Sequence, residues 1–234
     1  MKKCAFITGC AKGIGREIAL EFARSGYNII GTYRTSLKEI ESLKCKLDLI
    51  GVSFDYYKLD LSDEDNINRV CKNIKEKYDR LDVLINNAAL SLDNNFKDKT
   101  KEEFMKVLDV NLVGPFLIIQ KLSELLEESK IINIASTDGI NTYSKLNMDY
   151  SASKAGLINL TKSLALEFDK AQIYALCPNW VNTESVREMN PDYLQEELDR
   201  IGQRNLIEPN EVSSKVLEIL ESNTKSGSII VMEE

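Results

Sequence analysis

The chain contains no histidine, and this absence narrows the chemistry open to it. A hydrolase built on a Ser-His-Asp triad, a metal centre with histidine ligands and a histidine general base are all excluded. Histidine is the side chain whose ordinary pKa lies nearest neutrality. Any proton transfer near pH 7 must therefore use tyrosine, lysine, cysteine or a carboxylate.

Basic segments, cysteine pairs and long apolar runs are also missing. The net charge is −7, with no basic block, which argues against nucleic acid and membrane surfaces as partners. The five cysteines are scattered and form no Cys-x-x-Cys pair, which favours reduced thiols over a disulfide framework or a zinc site. No run approaches the length of a membrane span, and no signal-peptide pattern precedes the first strand. We expect a cytoplasmic protein without a metal.

Apolar strand-like runs alternate with amphipathic helical patterns along the chain. This alternation predicts an α/β fold with a doubly wound parallel sheet between two helical layers. The length suits a single domain over residues 1–234. A helix is predicted over Asp63–Tyr78 with Ser62 as its N-cap, and a long helix over Glu102–Glu127, bent near Gly114-Pro115. The expected strands are Lys3–Thr8, Asn28–Tyr33, Val52–Leu59, Leu81–Ile85, Ile131–Ala135, Ile173–Cys177 and Ser228–Met232.

A glycine-rich segment, Thr8-Gly9-Cys10-Ala11-Lys12-Gly13-Ile14-Gly15, joins the first strand to the first helix. Glycines in such a turn let backbone amides approach a pyrophosphate, which the helix N-terminus favours. The alternative is a plain strand-to-helix turn. Its place after the first strand of an alternating chain favours a dinucleotide site.

Tyr150 and Lys154 lie four residues apart in a helical pattern, so both side chains fall on one face. A cation beside a phenol favours the phenolate and lowers its pKa from about 10. Tyr150 is therefore expected to exchange a proton near neutral pH, unless the two residues are merely surface neighbours. The same pattern predicts a buried apolar stripe made of Ala155, Leu157, Leu160, Leu164 and Leu166.

Taken in order, these segments resemble the short-chain dehydrogenase/reductase family over nearly the whole chain, and among its members the compact 3-oxoacyl-[acyl-carrier-protein] reductase type. The family's TGxxxGxG spacing is present in the glycine-rich segment, and its YxxxK spacing at Tyr150 and Lys154. Asn86-Asn87-Ala88 resembles the family's NNAG. Further similarities are found at Asp60, Asn111, Ser136 and Pro178-Asn179-Trp180-Val181-Asn182-Thr183.

The resemblance implies a Rossmann-like fold of about seven strands and hydride transfer between a nicotinamide cofactor and a carbonyl group. It implies that Tyr150 donates a proton to the carbonyl oxygen, and that Lys154 lowers the pKa of Tyr150 and holds the ribose hydroxyls. Ser136 would bond the substrate oxygen, and Asn111 would hold a water linking Lys154 to solvent. The implied cofactor-binding residues are Thr8, Gly9, Ala11, Lys12, Gly13, Ile14, Gly15, Arg34, Asp60, Leu61, Asn87, Ala88, Tyr150, Lys154, Pro178, Val181 and Thr183.

Simpler roles exist for three of these residues. Asn111 would satisfy backbone groups at a helix kink, Ser136 would be an ordinary strand-end residue, and Asp60 would cap the helix after the third strand. Two positions depart from the family pattern, since Ala89 and Asn179 replace glycines. Asparagine tolerates a left-handed backbone better than most residues, so the turn at Asn179 is expected to survive.

The end of the second strand bears on the choice of cofactor. An acid there commonly bonds the ribose 2′-hydroxyl of NAD, whereas an arginine suits the 2′-phosphate of NADP. The strand ends in Tyr33-Arg34-Thr35 without an acid, and Lys12 adds a cation in the glycine-rich segment. We therefore expect NADP(H) rather than NAD(H).

The sequence says less about substrate and assembly. The resemblance favours a 3-oxoacyl thioester on acyl carrier protein, although the acids Glu124, Glu127 and Glu128 oppose an acidic partner. A small ketone, a sugar or a steroid-like alcohol is the alternative, and residues 184–204 are expected to form the substrate lid. A homodimer or homotetramer is implied, through the helices over Glu102–Glu127 and Tyr150–Phe168. A non-catalytic NADP(H)-binding sensor or scaffold is the alternative of another class.

Overall fold

The computed structural model describes residues 2–233, and its centre is a seven-stranded sheet. Strand order is β3-β2-β1-β4-β5-β6-β7, and every neighbouring pair is parallel. The doubly wound parallel fold expected from the sequence is therefore confirmed. The strands are Cys4–Ile7 (β1), Asn28–Tyr33 (β2), Phe54–Lys58 (β3), Val83–Asn86 (β4), Lys130–Ile134 (β5), Gln172–Pro178 (β6) and Ile229–Met232 (β7).

Helices cover both faces of this sheet, so β1 and β4 are buried along their whole length and β5 is buried except at Lys130. One apolar cluster joins the sheet to α1, α2 and α9 through side chains such as Phe22, Leu43 and Val216. A second joins the opposite face to α3 and α5 through Val70 and Ile118. The helices are Gly13–Arg24 (α1), Leu37–Ile50 (α2), Glu64–Lys77 (α3), Lys101–Leu108 (α4), Gly114–Lys121 (α5), Met148–Glu167 (α6), Glu184–Arg187 (α7), Pro191–Ile201 (α8) and Pro209–Glu221 (α9).

The strand order places a crevice between β1 and β4. From β1 the chain winds outward to β3, and it then returns to pair β4 against the other side of β1. The connections leaving β1 and β4 therefore diverge at the carboxyl edge of the sheet. In open α/β sheets this switch point is where ligands bind.

The N-cap of α3 is Asp63, so the prediction of Ser62 is wrong. The Asp63 carboxylate accepts from the Asn66 backbone N–H at 3.0 Å. The Ser62 hydroxyl instead donates to Asp60 at 2.7 Å. A carboxylate interacts more strongly than a hydroxyl with the positive end of a helix, so Asp63 rather than Ser62 caps α3.

The long helix predicted over Glu102–Glu127, with a bend near Gly114-Pro115, has an irregular turn close to that point, but its predicted end is wrong. A wide turn of π-helix over Asp109–Val113 separates α4 from α5, and α5 ends at Lys121 before a 3₁₀ turn. The break lies just before Gly114-Pro115, and the buried residue Asn111 is at its centre. Polar side chains that bond outside their own helix commonly accompany such π-bulges.

Helix α6 buries a more polar face than the predicted leucine stripe. Ser153, Lys154 and Thr161 are buried beside Leu157, whereas Leu166 is 89% exposed. The polar members are satisfied internally; for example, Asn133 on β5 donates to Thr161 Oγ1 at 2.9 Å. This face of α6 therefore contributes side chains to the crevice as well as to the core.

Two further features concern the environment of the chain. Within residues 2–233, no helix has both the length and the apolar character needed to cross a bilayer. The five cysteines are all free thiols, and only Cys45 is exposed.

Candidate active site

The crevice at the carboxyl edge of β1 and β4 is a cleft of about 530 Å³, a size typical of cofactor and substrate sites. Three of the site residues expected from the sequence, Thr8, Gly15 and Asn111, are not part of its lining. The expected residues that do line it are Gly9, Ala11, Lys12, Gly13, Ile14, Arg34, Asp60, Leu61, Asn87, Ala88, Ser136, Tyr150, Lys154, Pro178, Val181 and Thr183.

The glycine-rich turn after β1 leaves its backbone bare, in space that side chains would otherwise fill. Gly9 and Gly13 have φ angles of +67° and +52°, in the left-handed region that favours glycine. A Cβ on Gly15 would lie 2.5 Å from Asn87 Nδ2 and equally close to the Gly9 carbonyl oxygen. The turn thus presents bare backbone at the start of α1, which is the structure that a pyrophosphate requires.

Thr8 supports this turn from behind the cleft. Its hydroxyl accepts from the backbone N–H groups of Asn87 and Ala88, both at 3.0 Å. In return, the Asn87 amide donates to the carbonyls of Thr8 and Gly9 at 3.0 and 3.1 Å. These bonds fix the two diverging connections to one another.

At the far end of the cleft, Asp60 follows β3. Its carboxylate accepts from the Ser62 N–H at 3.0 Å and from the Ser62 hydroxyl. Partial burial raises its pKa, but these bonds and the nearby charge of Arg34 outweigh burial and hold it below the ordinary value. The alternative that Asp60 caps the next helix is wrong, because Asp63 does so.

The two cations considered for cofactor selectivity differ in their surroundings. Lys12 Nζ lies 3.4 Å from Glu39 on α2, in a pair that is largely exposed. Arg34 is exposed at the mouth of the cleft, and within residues 2–233 it makes neither an ion pair nor a hydrogen bond. Arg34 is therefore the cation of the two that is available to an anion.

Tyr150 and Lys154 line the cleft together, with Lys154 Nζ 5.4 Å from the centre of the Tyr150 ring. The ammonium donates to the Ile134 carbonyl at 2.7 Å, and burial lowers its pKa to about 8. Burial also raises the pKa of Tyr150. The charge of Asp138 adds to that effect, and a hydrogen bond with Ser136 opposes it. The expected depression of the Tyr150 pKa is therefore not found here. Removal of the phenol from water is the largest cause of the raised pKa, and the Lys154 ammonium is engaged with the Ile134 carbonyl.

Asn111 joins three elements around this pair. Its side-chain oxygen accepts from Leu90 N–H, and its amide donates to the Leu90 carbonyl, both at 2.8 Å. The amide also donates to Ser153 Oγ at 3.0 Å, and Ser153 donates to the Tyr150 carbonyl at 2.6 Å. Both amide hydrogens are used within the protein. A water bound by Asn111 would have to contact its backbone carbonyl or the remaining lone pair of Oδ1.

Asn179 needs no left-handed backbone, so the reason given for its tolerance is wrong. Among residues 2–233, positive φ angles occur only at glycines. The Asn179 side chain instead accepts from the Thr137 hydroxyl and donates to the Glu233 carbonyl at 3.1 Å. It thereby connects the ends of β5, β6 and β7.

Known proteins are similar to this chain in sequence and in fold. A family model described as short chain dehydrogenase matches residues 3–194. The chain belongs to the short-chain dehydrogenase family. It is 32% identical to the 3-oxoacyl-[acyl-carrier-protein] reductase FabG of Staphylococcus aureus, over 86% of this chain and 83% of that protein. It is 30% identical to the FabG of Thermotoga maritima, over 97% and 95%.

Solved structures agree with this membership. The fold matches a crystal structure of an actinorhodin polyketide ketoreductase variant with NADPH, with a TM-score of 0.87 and 28% identity over 99% of this chain and 95% of that one. The Pseudomonas aeruginosa RhlG/NADP active-site complex matches with a TM-score of 0.90 at 24% identity, over 99% and 94%, and it supports the fold alone.

In this short-chain dehydrogenase, several cleft residues were not identified from the sequence. Asp138, Asn147 and Asp93 all line the cleft near Tyr150. Asp138 follows Ser136 by two residues and Asn147 precedes Tyr150 by three, so adjacency to the recognised residues was the available signal. Asp93 gives no such signal, because it lies in an irregular connection after β4.

A buried ion pair beside the site was also not identified. Lys99 Nζ lies 2.7 Å from Asp149 Oδ2, with the two side chains only 5% and 0% exposed. Lys99 also donates to the Leu92 carbonyl at 2.6 Å, and Asp149 accepts from Tyr150 N–H at 2.9 Å. The pair fastens the connection after β4 to the first turn of α6.

Proposed function

We propose that this short-chain dehydrogenase is an NADP(H)-dependent reductase that converts a carbonyl group to a secondary alcohol. The observation that carries the proposal is that Ser136, Tyr150 and Lys154 line the same cleft as the glycine-rich turn. A backbone surface suited to a dinucleotide thus faces a phenol and a hydroxyl suited to a carbonyl oxygen. When bound, the cofactor supplies the hydride.

The side chains have distinct roles in this proposal. The raised pKa of Tyr150 keeps the phenol protonated at neutral pH, as a proton donor for reduction requires. Ser136 stabilises the negative charge that develops on the substrate oxygen. Lys154 holds the ribose hydroxyls and stabilises the phenolate left after proton transfer. Asn111 positions Tyr150 through Ser153 and takes part in returning a proton to Lys154.

Replacement of Tyr150 by phenylalanine tests this assignment against a non-catalytic sensor. Turnover should fall by at least about a hundredfold, since positioned general acids contribute factors of that order. NADPH binding, measured by fluorescence titration, should persist within a few-fold. Unchanged NADPH oxidation by the variant would contradict the role of Tyr150.

The preference for NADP(H) rests on Arg34. This exposed guanidinium, unpaired within residues 2–233, lies at the cleft after a strand that ends without an acid. A 2′-phosphate is the group that such an arginine suits. The test is the ratio of kcat/KM for NADPH to that for NADH, before and after Arg34→Leu. A higher kcat/KM with NADH in the unmodified protein would refute the preference.

A 3-oxoacyl thioester is the first substrate to test, because the FabG relatives are similar over most of this chain. The acidic residues Glu124, Glu127 and Glu128 do not oppose it. They precede β5 and so lie at the amino edge of the sheet, opposite the cleft. Two of them, Glu124 and Glu128, also pair with Lys75 and Lys170. The expectation that these acids would repel an acidic carrier protein therefore does not apply at the cleft.

The second candidate is a small polar ketone or sugar, favoured by the carboxylates of Asp93 and Asp138 in the cleft lining. Acetoacetyl thioester and simple ketones, compared with NADPH, distinguish the two. Residues 184–204 contain α7 and α8, and Val186 and Met189 from this segment line the cleft. We propose this segment as the substrate lid. A homodimer or homotetramer remains a prediction, to be tested by sedimentation.

A further inference from the structure

The part of the cleft beside Tyr150 presents hydrogen-bond acceptors without matching donors. Asp138 lies between Ser136 and α6, and one of its oxygens accepts from the Thr142 hydroxyl at 2.8 Å. The ion pairs formed among residues 2–233 do not include it. Its negative charge acts directly on the Tyr150 phenol. A partly buried carboxylate therefore lies close to the proposed proton donor without a direct ion pair among residues 2–233, although the charges of Arg200 and Lys154 reach it.

Asn147 adds an acceptor of a different kind. It occupies the N-cap of α6, where an asparagine oxygen normally accepts from the first helical turn, yet its side chain makes no capping bond. The residue is only 6% exposed and lines the cleft, and its side-chain oxygen has no hydrogen-bond partner. A buried polar atom without a partner is costly, which is a reason to look for a ligand. The oxygen itself is buried, and a half-turn about χ2 exchanges it with the NH₂ group, which would present the acceptor to a ligand that carries a donor.

The cations in this region already have partners. Lys154 lines the same cleft, and its ammonium donates to the Ile134 carbonyl at 2.7 Å. Lys99 is held by Asp149 in the buried pair. Arg200, whose charge reaches Asp138, makes two hydrogen bonds to Glu197 at 3.3 and 2.6 Å. Asp93, which is exposed, brings a further carboxylate to the cleft, and among residues 2–233 its only hydrogen bond is from the Ser91 hydroxyl at 2.8 Å. The local balance is an excess of negative charge and of acceptors.

We infer that Asp138, Asn147 and Asp93 form a subsite that recognises a hydrogen-bond donor carried next to the reacting carbonyl, either an ammonium or a hydroxyl group. Of the two, an ammonium has the charge that best complements the subsite. This inference rests on the proposed carbonyl reduction and selects between its candidate substrates. The two carbon atoms next to the ketone of a 3-oxoacyl thioester carry neither an amino nor a hydroxyl group, so this substrate supplies no such donor. A small amino- or hydroxyketone does.

Three ketones of nearly equal size test the subsite, namely aminoacetone, hydroxyacetone and 2-butanone. With NADPH, kcat/KM for aminoacetone should exceed that for 2-butanone by at least about tenfold, the factor that one charge-assisted hydrogen bond provides. Hydroxyacetone should fall between them. The near-isosteric Asp138→Asn should reduce the ratio of kcat/KM for aminoacetone to that for 2-butanone by about tenfold. Any effect of the lost charge on Tyr150 is common to both ketones and cancels in this ratio.

Two further variants guard against misfolding and general charge effects. Asn147→Leu should lower the hydroxyacetone to 2-butanone ratio, since it removes the orphan acceptor. Asp169→Asn removes an exposed carboxylate before β6, at the opposite edge of the sheet, and should leave all ratios unchanged. Equal kcat/KM for the three ketones, or a ratio unaffected by Asp138→Asn, would overturn the subsite and leave the reductase intact.

Calorimetry separates the subsite from the proposed reaction. Protein loaded with NADP⁺ should bind 1-amino-2-propanol more tightly than 2-butanol by a similar factor, and Asp138→Asn should remove the difference. This preference without turnover of any ketone would support the subsite and refute the reductase. Equal binding of the two alcohols would overturn the subsite regardless of turnover.

Discussion

The buried ion pair between Lys99 and Asp149 allows the sharpest prediction about stability. Lys99→Met keeps the length of the side chain and removes its charge. It also removes the donor to the Leu92 carbonyl, which lies 2.6 Å from Nζ. The Asp149 carboxylate, 0% exposed, would keep its bond from Tyr150 N–H and lose the one cation that pairs with it among residues 2–233. An uncompensated buried charge is among the most costly changes that a single substitution makes.

The expected loss is about 3–5 kcal/mol in the free energy of unfolding, the range measured when one partner of a buried pair is removed. Total stabilities of single domains are about 5–15 kcal/mol, so the variant should unfold at far lower urea concentration. Asp149→Asn should cost a similar amount, because it keeps an acceptor for Tyr150 N–H but leaves the ammonium unpaired. The double variant should cost less than the sum, by about 2 kcal/mol or more.

The matched control is Lys215→Met, which breaks a surface pair with Glu218 at 2.7 Å. Its loss should stay below about 1 kcal/mol, as for most exposed pairs. The reasoning fails if Lys99→Met costs no more than this control, or if the two single losses simply add in the double variant. Either result would mean that the Lys99–Asp149 pair does not stabilise the contact between α6 and the connection that follows β4.

Three further outcomes follow from the site. Because burial lowers the pKa of Lys154 to about 8, kcat/KM for reduction should fall as pH rises through that value and Lys154 loses its proton. A flat profile to pH 10 would contradict this role. The same shift should make the folded state more stable as pH rises from about 8 toward the unfolded value of about 10.4, since the unfolded chain then binds more protons. Gly15→Ala should weaken NADPH binding by about tenfold or more, because its Cβ would displace Asn87; unchanged titration curves would refute this. Asn111→Ala should cost about 2–4 kcal/mol in urea unfolding, because Leu90 and Ser153 lose their partners; a loss under 1 kcal/mol would show that the network is dispensable.

Local spacing in the sequence predicted the parts of the site that depend on local geometry. The glycine pattern marks a turn in which Gly9 and Gly13 adopt backbone angles that other residues avoid. The four-residue spacing of Tyr150 and Lys154 places both on one face of α6, whatever surrounds it. The alternation of strands and helices likewise leaves few topologies other than a doubly wound parallel sheet.

Features that depend on competition between distant groups were decided by the tertiary structure. The break over Asp109–Val113 accompanies the bonds of Asn111 to Leu90, across the cleft wall. The pKa of Tyr150 is raised because packing removes the phenol from water, an effect that no local pattern reveals.

The sequence by itself determined the fold and the chemistry that the cleft can offer, because those follow from residue types at short, regular separations. Only the tertiary structure brought Asp138, Asn147 and Asp93 together, and only it joined Lys99 to Asp149 across 50 positions of the chain. Selectivity for a substrate therefore depends on contacts between residues that are far apart in the sequence. Burial in a shared environment sets the strength of charges and hydrogen bonds, and burial is a property of the folded chain as a whole.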